Sequence, residues 1–141
     1  MSWLYQGRPF NDNMIPEGAV GFVYEMVAVI EGKVCRYIGK KNFYANRKVK
    51  LGKKALSALE DKRKKKYKEV SKLSYQDYYS SNELLKSVHK NGVMIKRFIL
   101  RICYTQTELT YQEARHLFCN DVLDSSEYLN NNILGKFYKT K

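Results

Sequence analysis

Residues 19–40 decide the fold, and they read AVGFVYEMVAVIEGKVCRYIGK. From Ala19 to Ile30, apolar side chains occupy both sides of an alternating pattern, which predicts a strand covered on both faces. Glu31-Gly32-Lys33 is typical of a tight turn, and Val34 to Lys40 then supplies the second arm of a hairpin. The stretch therefore predicts a central antiparallel strand pair.

The flanking sequence predicts further elements on both sides of this hairpin. Residues 1–18 hold both prolines and indicate an irregular lead-in. Lys53 to Leu73 has no Gly or Pro and is rich in helix formers, so we expect one long basic helix there. Met94 to Tyr104 alternates as a third strand, and its core face would carry Phe98, Leu100, Ile102 and Tyr104.

Two shorter helices are predicted from capping patterns. Ser80 with Glu83 would begin the first, which Asn91-Gly92 would end, and Thr110 with Glu113 would begin the second. The element order indicates one small α/β or α+β domain over residues 1–141. Its sheet would be three-stranded, mostly antiparallel and flanked by helices, with a basic helical insertion at about residues 47–79.

The charge of the chain is concentrated in one segment. The formal net charge is +12, and the stretch from Arg47 to Lys72 holds twelve Lys or Arg against three acids, a local charge of +9. A concentrated positive field attracts a polyanion, so nucleic acid is the expected partner. A solvated charged helix and an acidic membrane surface are the alternatives.

Several classes of protein are disfavoured by the sequence. No apolar run approaches the ~20 residues that a membrane-spanning helix needs, and Met1 to Phe10 lacks a signal-peptide pattern, so we expect a cytoplasmic location. Cys35, Cys103 and Cys119 form no CxxC pair, which argues against disulfides or structural zinc and favours buried thiols. Walker, HExxH, paired-Asp and GxSxG patterns are missing from the sequence.

Two tripeptides carry a family resemblance. Phe22-Val23-Tyr24 and Tyr37-Ile38-Gly39 lie on the two arms of the hairpin, with twelve residues between them. This pattern resembles the GIY-YIG nuclease family, although Phe22 stands where that family prefers Gly and Gly21 is adjacent. In the family an arginine on a helix, a metal-binding glutamate and an asparagine follow; the matching positions here are Arg47, Glu113 and Asn130.

Shorter pieces extend the resemblance to roughly Gly18 through Phe137. Lys40-Lys41-Asn42-Phe43, Tyr78-Tyr79-Ser80-Ser81 and Phe98-Ile99-Leu100 are similar to segments of phage-encoded members, which include relatives of homing endonucleases. For a phage-encoded protein the expected location is the cytoplasm of the host cell.

The resemblance implies roles for individual residues. Glu113 would hold one divalent ion, Mg²⁺ or another such as Mn²⁺, and Tyr24 or Tyr37 would act as general base. A free tyrosine has a pKa of about 10, so Lys40, Lys41 or Arg47 would have to lower it. Arg47 would also contact the phosphate, and Asn130 would anchor the tail or hold a site residue.

Each of these roles has a plain structural alternative. The two tyrosines are also ordinary strand residues, and Glu113 could instead complete a helix cap with Thr110. Arg63, also on the predicted basic helix, competes with Arg47 for the catalytic arginine. Asn131 and Asn132 compete with Asn130.

The sequence thus predicts a metal-dependent endonuclease that hydrolyses phosphodiester bonds in DNA, most simply double-stranded DNA. Its nucleic-acid contacts would come from Lys40, Lys41, Arg63, Lys64, Lys65 and Lys66. A non-catalytic basic nucleic-acid-binding protein is the alternative. The oligomeric state is left open, a homo-oligomer included.

Overall fold

A computed structural model describes residues 2–50, 53 and 67–139, and for residues 47–50 and 67–70 it describes the backbone alone. The helices with described bounds are α1 (Glu83–Lys90) and α2 (Gln106–Cys119), and a 3₁₀ helix spans Asp12–Met14. The strands are β1 (Leu4–Tyr5), β2 (Arg8–Pro9), β3 (Gly21–Ile30), β4 (Lys33–Asn42), β5 (Tyr44–Lys50), β6 (Tyr67–Leu73), β7 (Ile95–Cys103), β8 (Asn132–Ile133) and β9 (Phe137–Tyr138).

The central hairpin is confirmed. β3 pairs antiparallel with β4 in an unbroken register from Gly21↔Asn42 to Ile30↔Lys33. Glu31 and Gly32 form the turn with φ of 52° and 79°. These left-handed values match the twist of the strands in a two-residue hairpin turn, so the hairpin is tight.

The mixed α+β fold is also confirmed, but the main sheet has five strands rather than three. Its order is β2-β1-β7-β3-β4, with β7 antiparallel to β3 and parallel to β1. The predicted irregular lead-in is wrong, because residues 4–9 supply β1 and β2. Trp3 explains this attachment: its side chain is buried, and its indole N–H donates to the Tyr75 carbonyl at 2.9 Å.

The basic segment differs from the predicted helix. Lys53 is helical, but Tyr67–Leu73 is a strand that pairs antiparallel with β5 from Tyr44↔Leu73 to Lys50↔Tyr67. A strand is stabilised by the strand it pairs with, and here that partner lies about 20 residues earlier in the chain. Helix propensity depends only on the local sequence, so it cannot predict this pairing. Residues 54–66, including Arg63 and Lys64 to Lys66, lie outside the described residues.

Both shorter helices exist, but each begins at a different cap from the predicted one. Asn82 caps α1 by accepting from the Leu85 N–H at 3.1 Å, whereas Ser80 lies outside the helix. Thr105 caps α2 by accepting from the Glu108 N–H at 3.0 Å, one and a half turns before the predicted start at Thr110. The predicted C-terminal cap of α1 is confirmed, with Gly92 at φ 88°.

The sheet carries a hydrophobic cluster on each face. One contains Trp3, Phe22, Tyr24, Met26, Phe43, Tyr75, Leu85, Ile95 and Ile99. The other contains Val23, Ile38, Cys103, Leu109, Leu117, Val122 and Ile133, and α2 packs over it. Both faces of β3 are therefore covered, as its sequence predicts.

Two predictions about burial are wrong. On β7 the buried side chains are Ile95, Arg97, Ile99 and Cys103, whereas Leu100 is exposed. Arg97 can be buried because its guanidinium stacks on aromatic rings and donates to backbone carbonyls. Of the three cysteines, Cys103 is buried and Cys119 is exposed. Within the described part of the chain, no helix is long and apolar enough to cross a membrane.

Candidate active site

The two hairpin tyrosines lie side by side on one face of the sheet. Tyr24 pairs with Gly39 and Met26 pairs with Tyr37, so both rings project from the same side of adjacent strands. Their ring centroids are 6.3 Å apart. Tyr24 is 1% exposed, whereas Tyr37 is half-buried. Of the two hydroxyls, that of Tyr37 is therefore the more accessible to a substrate.

Gly39 is required by the position of Tyr24. A Cβ atom at residue 39 would lie 2.5 Å from the Tyr24 hydroxyl oxygen and 2.7 Å from the ring carbon that bears it. Real Cβ atoms do not approach other heavy atoms so closely, so any larger residue displaces the ring. The glycine that ends the second motif thus makes room for the tyrosine that ends the first.

A loop that follows β6 brings more hydroxyl groups to these tyrosines. The Tyr24 and Tyr78 hydroxyls are 3.3 Å apart, and the Tyr37 hydroxyl is 3.3 Å from the Ser81 hydroxyl. Ser80 between them is 1% exposed and has φ 79°, a strained backbone value for a residue other than glycine. The loop residues Tyr78, Ser80 and Ser81 thus complete a hydroxyl cluster around the hairpin.

Arg97 holds this loop in place. Its guanidinium donates to the carbonyl oxygens of Gln76 at 2.8 Å and Tyr78 at 3.0 Å. The same group stacks over the Trp3 ring at 4.7 Å and the Tyr79 ring at 4.1 Å. A planar cation suits this place because it binds carbonyls at its edge and aromatic rings at its faces.

The pKa of each hairpin tyrosine is raised, so the expected lowering by cations is wrong. Burial raises the pKa of Tyr24, and the neighbouring Tyr78 adds to the shift. Burial also raises the pKa of Tyr37; the Ser81 hydrogen bond opposes this, and the Glu113 charge adds to it. Both phenols are therefore uncharged at neutral pH.

Two lysines flank the cluster. Lys41 donates to the Ser74 hydroxyl at 3.0 Å and lies 5.1 Å from the centre of the Tyr78 ring, and burial lowers its pKa. Lys40 points to the opposite face and donates to the Thr110 hydroxyl on α2 at 2.8 Å. One cation therefore lies on each side of the edge strand β4.

Glu113 is not a cap, because α2 begins seven residues earlier. Its side chain is half-buried, and burial raises its pKa, with Lys40 opposing the shift. Among the described residues, no side chain makes a hydrogen bond or an ion pair with this carboxylate. Glu113 is therefore not needed as a cap, and its carboxylate is close enough to Tyr37 and Lys40 for electrostatic interaction with both.

The Asn130 side chain is hydrogen-bonded to the backbone of Tyr37-Ile38-Gly39. Its side-chain amide accepts from the Ile38 N–H at 3.1 Å and donates to the Ile38 carbonyl at 2.8 Å. Asn130 is 5% exposed, whereas Asn131 and Asn132 are exposed. Among these three asparagines, the first is therefore the one in contact with the hairpin.

Of the two candidate arginines, one has a described backbone position. Arg47 lies on β5, paired with Val70, and not on a helix as the family resemblance implies. Arg63 lies outside the described residues, as do the lysines at 64 to 66. Among the residues with described side chains, Lys41 lies on the tyrosine face of β4 and Lys40 lies on its other face.

The residue pattern contains only a partial signal for the loop contacts. Tyr78 to Ser81 stands out as a dense run of hydroxyl-bearing residues. Its contact with the hairpin depends on Arg97, which is itself buried against expectation. No local pattern links residues more than 40 positions apart, so Tyr78 and Ser81 were not predicted as site residues.

The described residues offer few side-chain ligands for a metal ion. In residues 2–50, 53 and 67–139, no group of three or more His, Cys, Asp or Glu side chains could hold an ion. A hard cation such as Mg²⁺ keeps several waters and is commonly held by one or two carboxylates together with substrate phosphate oxygens. The unengaged Glu113 carboxylate fits that requirement.

Fold and site together define a class of protein: a mixed α+β domain with two neighbouring tyrosines on its central hairpin and a glutamate on the helix that packs on the other face of the sheet. A family model described as "Putative endonuclease segE, GIY-YIG domain" matches residues 3–133. The chain belongs to this GIY-YIG endonuclease family, whose members hydrolyse phosphodiester bonds and generally use divalent metal ions. No curated protein and no solved structure gives a significant match.

Proposed function

We propose that this nuclease cuts double-stranded DNA and depends on one divalent ion held by Glu113. The observation that carries the proposal is the Glu113 carboxylate, half-buried and without a described partner, whose charge acts on both the Tyr37 hydroxyl and the Lys40 ammonium. Burying a carboxylate without a partner costs free energy. A bound cation would offset that cost.

Tyr37 is the proposed general base. Its hydroxyl is the more accessible of the pair and is hydrogen-bonded to Ser81, whereas the Tyr24 hydroxyl is enclosed by Tyr78 and Gly39. In its deprotonated form, Tyr37 would accept a proton from the attacking water as the water oxygen bonds to phosphorus, and the Tyr24 ring would position the Tyr37 ring. The Ser81 hydroxyl would orient the Tyr37 hydroxyl toward the reacting phosphate.

Lys40 and Lys41 are the proposed phosphate contacts at the cut. They lie on opposite faces of β4, next to the second motif, so one phosphate at the strand edge can be approached from both sides. A divalent ion bound at Glu113 would supply charge to a phosphate oxygen and to the leaving oxygen. Asn130 would hold β4 in the register that places Tyr37.

The direct test is cleavage of supercoiled plasmid with Mg²⁺ and then with a chelator. Wild type should nick or linearise the plasmid only with Mg²⁺, and Glu113→Gln should lose at least ~10³-fold in rate because the metal is lost. Glu83→Gln is the matched control, since Glu83 is exposed on α1. Full activity of Glu113→Gln would show that Glu113 does not hold the catalytic metal ion.

Binding can be followed apart from cleavage. Mg²⁺ bound to the folded state raises its stability by mass action, so Mg²⁺ should raise the Tm of wild type and of Glu83→Gln but not of Glu113→Gln. All three proteins should still bind DNA in chelator. A Tm shift retained by Glu113→Gln would place the metal elsewhere.

A further inference from the structure

A groove runs from the hydroxyl cluster to the last turn of α1. We call it the α1 groove; it has a volume of about 760 Å³ and is lined by Tyr78, Tyr79, Ser81, Lys86, His89 and Lys90. Tyr78 and Ser81 belong to both places, because their hydroxyls lie 3.3 Å from those of Tyr24 and Tyr37. The groove is therefore a continuation of the candidate active site.

The groove has a basic side. Lys86 and Lys90 are four residues apart on α1, so both lie on the same face of the helix. Both are exposed, and the Lys86 contact with Glu83, at 3.9 Å, is a weak surface pair. The exposed acidic residue Asp77 also lines the groove. The two lysines outnumber it, so the net charge of the groove lining is positive.

Two stacked rings also line the groove. The Tyr79 ring stacks on the His89 ring with centroids 3.6 Å apart and planes 12° from parallel, and the Arg97 guanidinium lies 4.1 Å from the Tyr79 centre. This stack connects α1 to the loop that carries Tyr78 and Ser81. Through Tyr79, the buried Arg97 guanidinium contacts the part of the loop that lines the groove.

We propose that the α1 groove binds the sugar-phosphate backbone of the substrate strand next to the phosphate that is cut, with Lys86 and Lys90 as the phosphate contacts. The inference rests on the proposed function, since it assigns the neighbouring part of the same substrate. Two cations on one helix face, beside hydroxyl donors, suit consecutive phosphate oxygens.

The experiment compares Lys86→Ala/Lys90→Ala with Lys33→Ala/Lys136→Ala. Each double variant removes two charges from exposed lysines, but the second pair lies outside the groove. Loss of two phosphate contacts should lower the slope of log affinity against log salt by about 2 for duplex DNA. The control should keep the wild-type slope, and equal slopes for the two double variants would overturn the proposal.

A second measurement locates the contact. Duplexes with one uncharged methylphosphonate at each position around the cut should bind wild type more weakly at one or two flanking positions. In Lys86→Ala/Lys90→Ala the same replacements should cost nothing, because the partner charges are already gone. A cost that persists in the variant would contradict the assignment.

Kinetics separate this groove from the catalytic centre. The groove variant should show KM about tenfold higher with kcat unchanged, since the lost contacts act on bound substrate and transition state alike. If the Ala variant is unstable, Lys86→Gln/Lys90→Gln tests the same loss of charge. If wild type cuts no DNA, the proposed function fails, whereas the salt slopes still decide whether the groove binds backbone.

Discussion

At the scale of single residues, Gly39 shows how closely the two motifs depend on each other. The site of its missing Cβ lies 2.5 Å from the Tyr24 hydroxyl oxygen. Gly39→Ala should therefore lower the free energy of unfolding by about 1–3 kcal/mol, the usual cost of overpacking a core. Chemical denaturation measures the loss.

Tyr24→Phe, combined with Gly39→Ala, tests whether the two residues clash. It removes the nearest oxygen but leaves the ring carbon at 2.7 Å, so the double variant should recover part of the stability and not all of it. If the double variant loses the sum of the two single losses in stability, the Tyr24 ring moves aside freely and the clash does not exist.

A second residue-scale prediction concerns pH. Burial and the Glu113 charge raise the pKa of Tyr37, so the deprotonated fraction is small at neutral pH and grows about tenfold per pH unit. If Tyr37 is the base, the cleavage rate should also rise about tenfold for each pH unit. The rate at a series of pH values, with saturating Mg²⁺, measures this.

Ring fluorination lowers the pKa of tyrosine and identifies which phenol titrates. Fluorotyrosine at position 37 should move the pH profile to lower pH, whereas fluorotyrosine at position 24 should leave it in place. A profile unchanged by the substitution at position 37 would exclude that hydroxyl as the base.

The residues that sequence could predict are those in a local pattern. Tyr24 and Tyr37 stand at fixed places in an alternating hairpin, and their shared face follows from the register alone. Tyr78 and Ser81 reach the same cluster through a loop fixed by Arg97. A buried arginine contradicts the usual pattern of burial, so the sequence could not indicate that contact.

At the scale of elements, Asn130 joins the C-terminal segment to β4. Its side chain satisfies both backbone groups of the buried Ile38. Asn130→Ala leaves an N–H and a carbonyl without partners, at about 1–3 kcal/mol for each group. We expect a total loss of about 2–6 kcal/mol in unfolding free energy, with reduced cleavage because Tyr37 is adjacent.

Asn131→Ala is the control for this prediction. Asn131 is exposed, so its substitution should change stability by less than about 0.5 kcal/mol. Thermal unfolding of the two variants measures the difference. Equal stability of both would mean that water replaces the Asn130 amide without cost.

Element boundaries show where sequence analysis reaches its limit. Both Ser80 and Thr110 stand three residues before a glutamate, as a capping box requires, but Asn82 and Thr105 are the caps. Several cap residues compete in each region, and packing of the helix on the sheet selects among them. Residues 67–73 have a helix-like composition but form β6, because their pairing with β5 is not local.

At the scale of the whole molecule, the net charge of +12 is the dominant long-range property. Replacing Lys64, Lys65 and Lys66 by Gln should weaken binding to duplex DNA and lower the salt slope by up to about 3, if each contacts one phosphate. Exposed Lys33, Lys96 and Lys136 provide a control with the same change in charge. An unchanged slope in the first variant would identify the lysine run as a solvated surface.

The C-terminal segment has a consequence for handling the protein. β4 is an outer strand of the five-stranded sheet, and the segment after α2 lies along it: the Arg36 N–H donates to Glu127 and the Leu129 N–H donates to Arg36, both at 2.7 Å. An outer strand whose backbone N–H and C=O groups are unpaired can form hydrogen bonds with the same strand of a second copy of the chain. A version shortened to end at Asp124 would therefore expose this backbone, and we expect it to self-associate instead of yielding a smaller working enzyme.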